Sequence, residues 1–196
     1  MSQIRLFDDQ GNRLYLNAEE RAAFLASAAL ETPKRRLFAE TLFYTGCRIS
    51  EALALSPTRF DLSGHRVVIQ SLKKRQPNVF RSVPVPGKYI DSLELTFGIR
   101  EAQRIQKLRD ELLWSWTRVR GWQIIKEIMI EAGVPDGPHR TPKGLRHSYG
   151  VNAIAHGIPL NMLQKWLGHA QLSTTAIYAN AAGKEETALA ANMWEE

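Results

Sequence analysis

The sequence predicts a mainly helical α+β fold with one small antiparallel sheet, and three observations carry that reading. Apolar residues recur at helical spacing along most of the 196 residues. Only two stretches, Arg66 to Ser71 and Phe80 to Val85, are short, alternating and β-branched in the manner of strands. Hydrophobic residues make up 44% of the chain and charged residues 23%, the balance of a polypeptide that buries a core, and the length suits a single domain.

The opening residues, 1–16, read as an irregular arm. Asn17 followed three places on by Glu20 has the form of a capping box, so a helix is expected from there to about Leu30. Thr32 and Pro33 open a second helix, with Leu37, Phe38, Thr41, Leu42 and Thr45 on one face. Gly46 interrupts it. A third helix resumes at Arg48 and stops before Pro57, which places Arg48 at a helix start. A loop through Asp61 and Gly64 leads into the two strands. From Arg100 to Ala132 the pattern is mainly helical, with Gly121 as a weak point and Gly133-Val134-Pro135 as its end. Trp114, Trp116 and Trp122 read as core or partner-facing anchors. Pro142 precedes a helix beginning near Lys143 and closing at Gly157, a short helix from Leu160 to Leu167 ends at Gly168, and Ser173 caps a last one containing Tyr178.

With 26 Lys and Arg against 20 Asp and Glu, the net charge is +6, which favours a polyanionic partner. The charge is concentrated. Between Leu62 and Ile90 lie Arg66, Lys73, Lys74, Arg75, Arg81 and Lys88 with no acid among them, whereas a surface built only for solubility mixes its signs. The single cysteine, Cys47, cannot close an internal disulfide and reads as a small buried packing residue of a protein from a reducing compartment. The N-terminus has no apolar core of the secretory kind, and no run of about 18 apolar residues exists to span a bilayer. A cytoplasmic protein with no membrane partner is expected. The five histidines show no metal-ligand spacing with nearby Cys or acids, so neither a metal nor a small-molecule cofactor is expected.

Three fragments carry the chemistry: Thr45-Gly46-Cys47-Arg48-Ile49-Ser50-Glu51-Ala52-Leu53, then Lys143-Gly144-Leu145-Arg146-His147-Ser148, then Leu167-Gly168-His169 followed nine residues later by Tyr178. In this order, with a basic hairpin between the first and second, the chain resembles the catalytic domain of the tyrosine recombinase (phage integrase) family from about Leu16 to Ala181. The resemblance implies the helical catalytic fold of that family with its small sheet, double-stranded DNA as partner, and breakage and rejoining of DNA through a tyrosine-linked 3′-phosphate without metal or ATP. It implies Arg48, Lys73, Lys143, Arg146, His169 and Tyr178 as the catalytic set.

The physical chemistry of phosphoryl transfer asks for the same residue types. Negative charge gathers on the non-bridging oxygens of a phosphodiester under attack, and fixed cationic donors stabilise it. Arginine suits because its planar fork meets two oxygens and stays protonated, so Arg48 and Arg146 are expected to clamp the phosphate. Glu51, three residues after Arg48, either orients that guanidinium or forms a solvated helix pair with it. A tyrosyl phosphate conserves the bond energy needed for resealing, and of the tyrosines Tyr178 alone has the family's placement, Tyr44 and Tyr149 reading as core. The departing 5′-oxygen needs a proton donor, which in the family is a hairpin lysine. Lys73 and Lys74 both qualify, and placement after the first strand favours Lys73. Lys143 stands where many members have histidine. A protonated lysine is a poor base, so the task of accepting the Tyr178 proton moves to His169 or water.

Lys74, Arg75, Arg81 and Arg140 are expected to contact the DNA backbone. The resemblance further implies self-association on DNA, from dimer to tetramer, around a catalytic unit of residues 17–183. The segment 184–196, with Ala188, Leu189, Met193 and Trp194, is expected to form a helix or tail that docks on a neighbouring copy or on its own domain. Only about 16 residues precede the similarity, so the chain resembles the short members that invert the fimbrial phase switch or else an excised catalytic domain. A topoisomerase of type IB character and a non-catalytic DNA-binding accessory protein are the competing functions.

Overall fold

A computed structural model describes residues 5–72, 79–180 and Ala191. The helices are α1 (Ala18–Ala29), α2 (Pro33–Thr45), α3 (Ile49–Leu53), α4 (Gly87–Phe97), α5 (Ile99–Arg104), α6 (Arg118–Glu131), α7 (Pro142–Ala155), α8 (Leu160–Leu167) and α9 (Ser173–Ala176). Between α3 and α4 lies a three-stranded sheet of β1 (Phe60–Asp61), β2 (Arg66–Gln70) and β3 (Phe80–Pro84), paired antiparallel in the order β1-β2-β3 with Val67 opposite Val83. The mainly helical α+β fold expected from the sequence is the fold observed.

Local rules account for the element ends. Asn17 and Glu20 close the expected capping box, each side chain taking the other's backbone N–H. Thr141 caps α7 by accepting from the Gly144 amide, which fixes where Lys143 and Arg146 enter the site. Thr32 makes no such side-chain bond, and Pro33 at the first position starts α2 by fixing φ.

Two expectations are corrected. The stretch from Arg100 to Ala132 is not one helical run: α5 ends at Arg104, the chain crosses without helix to Thr117, and α6 begins there. Trp114 anchors the crossing, buried against Phe38 and Phe97 with its indole N–H donated to the Lys34 carbonyl. Gly121 is no weak point either. It is buried within α6, and a Cβ there would meet the Phe38 ring at 3.0 Å, so glycine sets the close packing of α6. Helix α4, which follows the sheet, adds Tyr89, Ile90 and Leu93 to the core.

The larger core is built from α1 to α4, α6, α7 and the inner face of the sheet. A smaller cluster gathers Leu6, Tyr15, Val151, Ala153, Leu163, Leu167 and Tyr178. From residue 5 onward the opening arm is therefore packed into the domain: it forms a bridge between Phe7 and Arg13, and Arg13 pairs with Glu20 of α1. Among the described residues no helix is long and apolar enough to cross a membrane.

Candidate active site

Arg48, Lys143, Arg146, His169 and Tyr178 line one cleft of about 580 Å³. They come from the start of α3, the first and second turns of α7, the turn after α8, and a 3₁₀ turn of Ile177–Asn180. Arg118 and Trp122 of α6 stand on its rim, both exposed, so Trp122 is neither core nor, in the isolated chain, covered. Lys73, Lys74 and Arg75 lie outside the described residues.

Arg146 is almost wholly enclosed. Its Nη1 donates to the Gly46 carbonyl at 2.6 Å, and its Nη2 donates to the Leu167 carbonyl at 2.7 Å and to His169 Nε2 at 3.1 Å. Since arginine only donates, His169 Nε2 must hold a lone pair, which puts the ring proton on Nδ1, where it is donated to Thr175 Oγ1 at 3.0 Å. Burial first, and then the charge of Arg48, pull Arg146 down to about 10, still well above neutral pH. It remains a cation.

Arg48 is the exposed partner, with 40% of its side chain open. Its Nη1 donates to Glu51 Oε1 at 3.0 Å and its backbone N–H to Oε2 at 2.9 Å. Glu51 is not a solvated surface acid, for its side chain is 1% exposed. Burial would raise its carboxyl, but hydrogen bonds and charge from Arg81, followed by those of Arg48, outweigh that and hold it below the usual range.

Arg81 accordingly does not have the role expected for it. Its side chain is 6% exposed, with Nη2 to Glu51 Oε2 at 2.7 Å, Nη1 to Oε1 at 3.3 Å and Nε to the Trp166 carbonyl at 2.7 Å. All three of its nitrogens are thus engaged within the domain rather than held out towards a DNA backbone. Arg140, also expected on DNA, turns both terminal nitrogens into its own loop, to Asp136 and the Val134 carbonyl.

Tyr178 is buried, its ring stacked near His169 at 6.3 Å between centroids and seated on Gly150, where a Cβ would come within 2.6 Å of it. Its hydroxyl pairs with His147 Nδ1 at 3.1 Å. Burial raises the phenol to about 12, against the lowering effect of Arg146 and Arg48, and burial followed by the charges of Lys143 and Arg146 pushes His147 down to about 4. The phenol hydrogen-bonds His147, while His169 stacks beside its ring. Sequence reasoning passed over His147, although it stands next to Arg146 within a motif already singled out. Arg81 also left a signal, since in β3 it shares the inward face with Val83.

The Phage integrase family model matches residues 5–185. The chain belongs to the phage integrase family. Among curated members it is 29% identical over 178 residues to a tyrosine recombinase XerD of Neisseria meningitidis serogroup B, covering 85% of this chain and 58% of that protein. It is 32% identical over 183 residues to a XerD of Listeria monocytogenes, covering 87% and 59%. The chain spans little more than half the length of these relatives. Solved family structures match as well. XerH recombinase in a post-cleavage complex with palindromic difH substrate aligns with a TM-score of 0.74 at 27% identity, over 98% of this chain and 57% of that one. XerA recombinase aligns with a TM-score of 0.76 at 20% identity, over 93% and 65%, and the catalytic domain of bacteriophage HP1 integrase with 0.63 at 20% identity, over 91% and 94%. The family fold is therefore that of a tyrosine recombinase catalytic domain.

Proposed function

We propose that this domain breaks and rejoins double-stranded DNA at specific sites, with Tyr178 as the nucleophile that becomes linked to a 3′-phosphate. One observation carries the reading: two arginines, a lysine, a histidine and a tyrosine from positions 48 to 178 converge on a single cleft. A phosphate entering it meets Arg48 and the two of Arg146's five N–H donors that its three internal bonds leave over, since three hydrogen bonds occupy the rest. Lys143, exposed on the first turn of α7, adds a third positive charge.

In the forward step the Tyr178 oxygen bonds to phosphorus, the bond from phosphorus to the 5′-oxygen breaks, and that oxygen takes a proton from a lysine that follows β2, Lys73 by its placement with Lys74 as the alternative. The tyrosine proton must leave at the same time. His147 holds the phenol by a hydrogen bond, but a buried imidazole that resists a positive charge is a weak base, so water or the bound phosphate completes the transfer. Resealing reverses each step. No ATP enters, because the tyrosyl ester stores the bond energy, and the three cations perform the charge stabilisation a metal would otherwise supply. Strand exchange needs two sites held together, for which self-association on DNA is the natural means; the segment 184–196, which apart from Ala191 lies outside the described residues, would either dock on the neighbouring copy or pack on its own domain.

A pool of duplexes randomised around a fixed nick tests the reading. The wild-type chain should trap a subset covalently, because the short strand released beyond the nick is lost, and Tyr178→Phe should trap none. Capture that survives in Tyr178→Phe would overturn the assignment. With the selected duplex in hand, a sulfur in place of the bridging 5′-oxygen supplies a leaving group that needs no proton. It should restore Lys73→Ala and do nothing specific for Lys74→Ala. Recombination of a two-site plasmid, against relaxation of a one-site plasmid, distinguishes a recombinase from a topoisomerase.

A further inference from the structure

We infer that Arg81, on strand β3, is a positioning residue for the phosphate clamp: by saturating Glu51 it keeps Arg48 turned to the cleft. The inference rests on the function proposed above and goes beyond it, because Arg81 touches no part of the cleft.

A carboxylate offers about four acceptor sites. On Glu51 four hydrogen bonds fill them: Oε2 takes Arg81 Nη2 at 2.7 Å and the Arg48 backbone N–H at 2.9 Å, while Oε1 takes Arg48 Nη1 at 3.0 Å and Arg81 Nη1 at 3.3 Å. Arg48 thus spends one terminal nitrogen on Glu51, and the rest of its fork stays available. Buried carboxylates do not remain half satisfied. Were Arg81 lost, two sites would open on an anion whose side chain is 1% exposed, and the donor at hand to fill them is the fork of Arg48. A bidentate Arg48–Glu51 pair would follow, with the clamp arginine drawn off the cleft.

Charge points the same way. With Arg81 present, Glu51 is shared between two guanidiniums, so the surplus positive charge of Arg48 and Arg146 is left for an incoming phosphate. Without it, Glu51 neutralises Arg48 alone. A second contact fixes Arg81 itself: its Nε donates to the Trp166 carbonyl, one residue before the Leu167 carbonyl that accepts from Arg146, so the end of α8 indexes both arginines to one frame.

The test compares single-turnover capture of the selected nicked duplex by wild type, Arg81→Met, Glu51→Gln and the double variant Arg81→Met/Glu51→Gln. Arg81→Met should capture about 10-fold to 100-fold more slowly, less than the roughly 100-fold to 1,000-fold lost when a transition-state donor is removed outright, because Arg48 is misdirected rather than deleted. DNA affinity and its salt slope should not change, because a buried arginine neutralises no phosphate. The double variant should recover part of the lost rate, since a neutral amide no longer captures Arg48. A merely structural loss would instead deepen with the second substitution, and that outcome overturns the inference. So does an unchanged rate in Arg81→Met, a changed salt slope, or rescue of Arg81→Met by the 5′-sulfur duplex, which would place Arg81 with the proton donor rather than the clamp. Should Arg81→Met fail to fold, Arg81→Lys, which keeps the charge and loses the fork, should give a smaller slowing of the same kind, and wild-type rate in it would count against the inference. Wild-type capture is read first, so failure of the proposed function shows as no capture by any chain and is distinct from failure of the role of Arg81.

Discussion

Burial raises the Tyr178 phenol to about 12 and depresses the His147 imidazole to about 4, so at neutral pH the pair is held neutral with the proton on oxygen. The consequence for stability has a definite sign. An unfolded histidine takes up a proton as pH falls through about 6.5, whereas folded His147 refuses one until about 4. Its contribution to stability is therefore whole above 6.5 and is lost progressively between 6.5 and 4, by up to about 3 kcal/mol at about 1.4 kcal/mol per unit. Urea titrations of wild type and His147→Gln across that window should converge as the pH drops. Parallel curves would show that His147 is not so restrained. Cys47 makes a simpler case: fully enclosed, with its thiol pushed up to about 11 by burial and by Glu51, it should resist alkylation by iodoacetamide at pH 8 in the folded chain and react promptly in urea.

Helix α8 ends on a glycine that serves two masters. Gly168 adopts φ of 66°, and a Cβ there would come within 3.1 Å of Arg81. Gly168→Ala should cost about 1 to 2 kcal/mol in stability through backbone strain and should slow DNA capture as well, since Arg81 is displaced. Loss of stability alone, with the rate intact, would separate the two effects against this view. The Leu-Gly-His motif was legible in the sequence, but its reason was not. Leu167 and Trp166 act through their carbonyls, which letters do not distinguish, and the partners Arg146 and Arg81 lie 21 and 85 residues away. Capping boxes and strand alternation are local and were read correctly at Asn17 and Val67. Arg81 was misread because a charge on a strand is by habit turned to solvent, and only a distant buried carboxylate tells otherwise. The crossing at Trp114 failed for a related reason: an indole buried by tertiary contacts has the same spacing signal as one on a helix.

At the scale of the whole molecule, the clamp joins the start of α3 to α7 across about half the sequence, with the Gly46 carbonyl holding Arg146. Arg48→Ala and Arg146→Ala should each raise the cleavage barrier by about 3 to 4 kcal/mol. The second should lower the melting temperature further, because it strands three internal acceptors whereas the first removes one of the four donors to Glu51. Circular dichroism melts beside single-turnover rates check this, and an equal thermal loss in both variants would contradict it. Net charge of +6 and an open cleft further imply binding that weakens by about 0.9 in log K per neutralised phosphate for each tenfold rise in salt, a slope that Arg48→Ala and Lys143→Ala should each reduce.

The smaller core cluster places Leu6, near the beginning of the described chain, in the same packed group as Tyr178. The proposed nucleophile is thereby also packed against the opening segment. On the proposed function, withdrawing the phenol to form the DNA link should loosen that segment, so the Leu14 amide, which donates to the Leu6 carbonyl at 2.7 Å, should exchange its hydrogen faster while the link persists and slow again on resealing. The chain would then carry, far from its chemistry in sequence, a clock of how long each broken strand is held.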